Sequence, residues 1–188
     1  MKTILKNVYG ILELTDAARE TAHAAWLANI EPYLDNAVDM IKEQGAHLGI
    51  AIDEVLYSGF YSQGDGAMVT GVYRYNPDWR ELLNYDVITN IGVYLEDFNN
   101  KYGDVTIKIT HDRHRYFHAR SANFEIMDSE LIEIDEMVRV GELLRSFMEW
   151  AYTELMIEYE YQTSIDYFIE ESEDYDCFFN IYGILEND

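Results

Sequence analysis

Residues 58–66, Ser-Gly-Phe-Tyr-Ser-Gln-Gly-Asp-Gly, constrain the fold more than any other stretch of the chain. Residues 50–57 before them and 67–75 after them are rich in β-branched and aromatic side chains. Three glycines and small polar residues between two such runs predict a β-hairpin. Gly64 and Gly66 are placed to accept positive φ, and Asp65 to bond the local backbone. The loop is no nucleotide motif, because Gly64-Asp65-Gly66 leads into a strand and no Gly-Lys-Ser/Thr follows. Two readings stay open. Either Ser58, Gly59, Ser62, Gly64 and Gly66 shape a structural turn, or that turn presents Ser62, Gln63 and Asp65 at a site.

The rest of the pattern alternates between periods of 3.6 and 2. Thr15 and Asp16 predict a helix to about Asn29, and Pro32 the first turn of a second helix whose end Gly45 and Gly49 bracket. A short turn with Trp79, Leu82 and Leu83 precedes a helix carrying Val87, Ile88, Ile91, Leu95, Phe98 and Tyr102, which Gly103 ends. Val105, Ile107 and Ile109 alternate with polar residues as a half-buried strand. Residues 116–127 are its expected partner, joined through Asp112-Arg113-His114-Arg115. From Glu130 the spacing turns helical, with a stripe of Met137, Gly141, Leu144, Met148, Ala151, Leu155 and Tyr159 opposite Glu142, Ser146, Glu149, Thr153 and Glu160. Thr163 to Asp166 resembles a capping box opening another helix. Residues 177–183 suggest a last strand. With 188 residues and no linker or repeat, the expectation is one α+β domain over 1–188. It holds an antiparallel sheet of two hairpins, plus a possible C-terminal strand, packed with about five or six helices.

Charge narrows the partners. The chain carries 36 acids against 13 bases, a net of −23, a field that repels nucleic acid and anionic membrane and attracts basic surfaces. Residues 128–188 hold 18 of the acids and only Arg139 and Arg145, so acidity belongs to a mainly helical C-terminal third. The single Cys177 forbids an internal disulfide and is expected as a core thiol. No run reaches the roughly 18 apolar residues of a membrane span, and residues 1–6 lack a signal-peptide pattern. The expectation is a soluble cytoplasmic protein without a cofactor.

Further matches run through the chain. Residues 58–67 fit a pattern "SGF-x-SQGDGA", with Tyr61 in the variable place. Tyr9 to Glu20 fits "F-x-E-L-(S/T)-(D/E)-x-A", Tyr116-Phe117-His118 fits "Y-x-H", and Glu158 to Ser164 fits "E-Y-x-x-x-T-S". In these the chain resembles a group of uncharacterised bacteriophage and prophage proteins. It departs where Ile11 and Leu12 replace the group's usual aromatic residue. The resemblance implies a phage accessory protein acting in a bacterial host cytoplasm.

Three function classes follow. The leading one is a protein-binding inhibitor or modulator of a host nucleic-acid-handling or defence system. Its carboxylates Glu160, Asp166, Glu170, Glu171, Glu173, Asp174 and Asp176 would imitate a phosphate backbone before a basic host protein. Its partner would be that protein, with no direct nucleic acid and no membrane, and a homodimer is possible. These acids should then be free of Arg113, Arg115 and Arg120. An alternative is a metal-assisted or hydrolytic enzyme using Asp65, Gln63, His118 and His111. On a continuous strand His114 and His118 share a face with each other and not with His111. This reading requires Asp65 and His118, carried on adjacent hairpins, to lie in one cleft. The same His and Arg cluster suits an anion site, or a basic turn lying against the chain's own acids. The third class is a structural or oligomerising accessory domain.

Overall fold

The computed structural model describes residues 7–82, 86–111, 116–127 and 132–186. Leu83, the Asp112–Arg115 turn and Glu130 lie outside them. The fold is α+β. By contacts the chain divides into two compact units, residues 35–156 and residues 1–34 with 157–188.

The larger unit is built on an antiparallel sheet of order β1-β2-β3-β4: Ile50–Tyr57, Ala67–Arg74, Thr106–His111 and Ala122–Ile126. The register pairs Ile50 with Tyr73, Tyr73 with Ile107 and Ile107 with Ile126. Alternation therefore puts Ile50, Ile52, Gly71, Tyr73, Ile107, Ile109, Phe124 and Ile126 on one face. Helix α2, Asp35–Leu48, packs on that face so closely that a Cβ at Gly45 would lie 2.5 Å from Ile52 Cδ1. Helix α5, Ile134–Gln162, meets it where Gly141 abuts Phe124 and the Arg145 guanidinium covers the same ring at 4.9 Å. The other face carries exposed Arg74, Lys108 and Glu125 and half-buried Thr70, Val72, Thr106 and Thr110. Helices α3, Trp79–Leu82, and α4, Asp86–Tyr102, join β2 to β3, and α4 buries Ile88, Ile91, Leu95 and Phe98.

The smaller unit contains a 3-10 turn at Ile11–Glu13, helix α1 at Asp16–Leu27, the end of α5 and helix α6 at Ile165–Asp174. Thr15 Oγ1 caps α1 by accepting from Ala18 N–H, and Ser164 Oγ caps α6 by accepting from Tyr167 N–H. Ile11, Leu14, Ala18, Ala22, Phe168 and Phe179 form its core, with Trp26 and Cys177 packed alongside. Burial pushes the Cys177 thiol above its ordinary range, and Glu171 and Asp176 add to this.

Several expectations change. Pro32 does not open α2, which starts at Asp35. The Gln162 side chain accepts from Tyr33 N–H at 2.7 Å and donates to Tyr33 O at 2.6 Å, holding that segment outside the helix. Gly45 lies inside α2 rather than at its end, because Ile52 leaves no room for a side chain there. The fourth strand covers only Ala122–Ile126. His118 instead caps a 3-10 turn at Ala119–Ser121, so it is not a strand residue. Residues 177–186 form no strand of the sheet. Phe179 makes isolated bridges to Tyr9 and Leu185, and the Asn180 side chain accepts from Tyr182 and Ile184 N–H to turn the chain back.

Tyr73 is 1% exposed and its hydroxyl has no hydrogen-bond partner among the described residues. Burial, with a contribution from Tyr75, pushes its pKa above the ordinary tyrosine range. The folded chain therefore holds this proton more tightly than the unfolded chain, whose tyrosines titrate near about 10. The resulting stability is fully present below about pH 10 and is lost as pH rises further. Tyr73→Phe is expected to match or exceed the parent at pH 7, by up to about 1 kcal/mol, since it removes an unpaired buried hydroxyl. It should also flatten the alkaline decline, as urea unfolding at pH 7 and pH 10.5 would show.

Candidate functional site

The loop between β1 and β2 is held at several points. Ser58 N–H donates to Gly66 O at 3.2 Å, and Ser58 Oγ donates to Phe117 O at 3.2 Å. Asp65 N–H donates to Ser62 O, and Asp65 Oδ2 accepts from Ser62 N–H at 2.7 Å. This reciprocal pair closes a tight turn, with Gly64 at φ +94° and Tyr61 at φ +70°. Phe60 stacks between Tyr57 and Tyr152 of α5, with ring centroids 6.1 and 5.7 Å away. Gly66 is fixed by a different constraint: a Cβ there would lie 2.6 Å from His118 Cβ.

That approach creates a cleft of about 390 Å³. The loop contributes Asp65, Gly66 and Ala67, the 3-10 turn contributes His118, Ala119 and Arg120, and α5 contributes Glu149, Tyr152 and Thr153. Asp65 and His118 are half-buried, while Arg120 and Glu149 are exposed. His118 Nδ1 accepts from Arg120 N–H at 3.1 Å, which places the proton of the neutral ring on Nε2. Burial, and then the Asp65 charge, raises the Tyr152 pKa against an opposing Tyr61 backbone hydrogen bond, so the phenol stays protonated.

Asp65 and His118 thus share one cleft. Gln63 sits exposed in the loop and does not line it. Neither does His111: it packs its ring 5.0 Å from Phe117, with Nε2 buried and without a partner among the described residues. The four residues proposed for catalysis are therefore not gathered in this cleft. His114 lies outside the described residues, among which no three His, Cys, Asp or Glu side chains are grouped to hold a metal. Glu149 and Thr153 were visible in sequence only as the polar stripe of a helix. Tyr152 carried no signal at all.

The acidic surface belongs to the smaller unit. Helix α6 buries Phe168 and Ser172 and exposes Asp166, Glu170, Glu173 and Asp174, spaced as one helical face. Asp176 follows at φ +50°, also exposed, and Glu160 is exposed near the end of α5. Among the described residues Asp166, Glu170, Glu173, Asp174 and Asp176 make no ion pair, Arg120 included; Arg113 and Arg115 lie outside them. Glu170 accepts from Tyr161 O–H at 3.3 Å. Glu171 differs from its neighbours. It is half-buried, and its charge and hydrogen bond help raise the Tyr167 pKa after burial has done so.

The architecture defines an α+β protein with a small four-stranded sheet, a loop-walled cleft and an acidic terminal helix. Residues 33–165 match the family described as a domain of unknown function (DUF8835), and the chain belongs to that family. The match takes in the whole cleft and stops before Asp166. No curated protein and no solved structure matches the chain. No helix among the described residues is long and apolar enough to cross a membrane.

Proposed function

We propose that the protein is an acidic binding module that docks on a basic surface of another protein, as an inhibitor or modulator of a host nucleic-acid-handling or defence system. One observation carries this reading: Asp166, Glu170, Glu173 and Asp174 line one face of a capped helix and have no cationic partner among the described residues. Carboxylates spaced along a rigid helix offer a basic groove what a phosphate backbone offers. The net charge of −23 would steer such a partner inward. A phage accessory role in a bacterial cytoplasm accords with the "SGF-x-SQGDGA" resemblance.

The test is capture of a basic host protein, followed by displacement. Binding is expected to weaken steeply with salt, because screening shortens from about 8 Å at physiological ionic strength to roughly 4 Å at 0.5 M. Duplex DNA should compete for the same partner. Reversing Asp166, Glu170, Glu173 and Asp174 to Lys should abolish capture while shifting stability by only about 0.5 kcal/mol per site. Capture that survives both 0.5 M salt and the reversal would overturn the reading. Glu171 is left out because its contact with Tyr167 would confound the result.

A second reading, hydrolytic chemistry at Asp65 and His118, draws on their common cleft. The Thr153 hydroxyl in that cleft is engaged, donating to Glu149 O at 3.1 Å, so the attacking group in this reading is a water activated by Asp65 or His118.

A further inference from the structure

We propose that the cleft between the 58–66 loop, the Ala119–Ser121 turn and α5 binds a small zwitterion with an ammonium and a carboxylate a few bonds apart, the chemistry of a free amino acid. Gly66, Ala67 and Ala119 line this cleft, all buried and none with a side chain beyond Cβ. The space above them, about 390 Å³, equals roughly a dozen water volumes.

Its charged groups are divided by sign. Arg120 and His118, whose Nε2–H has no partner among the described residues, belong to the 3-10 turn. Asp65 comes from the loop and Glu149 from α5, beside the protonated Tyr152 phenol. Arg120 pairs with neither carboxylate, so the opposite charges stand more than 4.0 Å apart across the cleft. A lone anion would meet Asp65, Glu149 and the net field of the chain, and a lone cation would meet Arg120. A molecule bearing both charges satisfies both sets at once, its carboxylate taking the guanidinium and imidazole and its ammonium the two acids.

The assay is titration of the full chain with glycine, serine and glutamine, followed by the amide resonances of Ala67 and Ala119, with acetate and methylamine as single-charge controls. At least one amino acid is expected to saturate these resonances and to bind about tenfold or more tighter than either control. Arg120→Ala and Glu149→Gln, both at exposed positions, should each weaken it by about tenfold while the remaining spectrum is unchanged. No saturation by about 10 mM of any of the three, an equal response to acetate, or unaltered binding by both variants would each overturn the proposal. The assay involves no residue of α6, so its outcome is independent of the docking surface proposed above.

Discussion

Gly71→Ala is expected to lower the unfolding free energy by about 3–4 kcal/mol, out of the 5–15 kcal/mol typical of a domain. Gly71 sits in the middle of β2 at φ +149°, opposite Ile52, where the register with β1 shifts at a bulge before Glu54. A Cβ there would lie 2.1 Å from Ala51 O and 3.0 Å from Ala51 C. Both atoms are backbone of the paired strand, so relief requires breaking the ladder on which the 58–66 loop is mounted. Backbone strain of about 1–3 kcal/mol and overpacking of about 1–3 kcal/mol combine in that figure. Gly103→Ala is the control. Gly103 has φ +78° with nothing within 4 Å of its added Cβ, so only the strain contributes, about 1 kcal/mol. Urea unfolding followed by tryptophan fluorescence measures both variants. Equal losses would mean that the contact with Ala51 plays no part.

Phe147→Ala is expected to cost about 3–5 kcal/mol, the range for removing a fully buried aromatic side chain. Phe147 is 0% exposed, between Leu144 and Met148, which are equally buried, and its ring lies 5.5 Å from that of Trp150. Met137 belongs to the stripe expected from periodicity but is 38% exposed. Met137→Ala should therefore cost about 1 kcal/mol or less. The same denaturation experiment separates the two, and the reverse order would contradict the burial of Phe147 and the exposure of Met137.

That pair of residues illustrates where sequence periodicity stops. A stripe at three- and four-residue spacing identifies one helical face, but α5 is covered on a wider arc than one stripe. Val140, Phe147 and Trp150 are buried with the stripe, while Met137 near the first turn is left partly open. The helix boundaries followed local chemistry where a cap was local, as with Thr15 for α1 and Ser164 for α6. They failed where a distant side chain intervened, as Gln162 does at Tyr33 across 129 positions of sequence. The C-terminal run of Phe178, Phe179 and Ile181 had the composition of a strand. Two Asn180 side-chain hydrogen bonds turned it back after single bridges.

Local sequence determined the α+β class, the β1–β2 hairpin, the Asp65 turn and the acidic exposed face of α6. Each depends on neighbours within a few residues: glycine at φ > 0, an aspartate reaching the backbone three positions back, helical spacing of charge. Tertiary structure alone decided that His111 and Gln63 stay out of the cleft, and that Arg120, Glu149 and Tyr152 enter it. The cleft exists because Gly66 lets the 118–121 turn approach β2 and because Phe60 stacks on a ring 92 positions later in the chain. Such contacts are set by packing between elements distant in sequence, and local pattern carries no record of them.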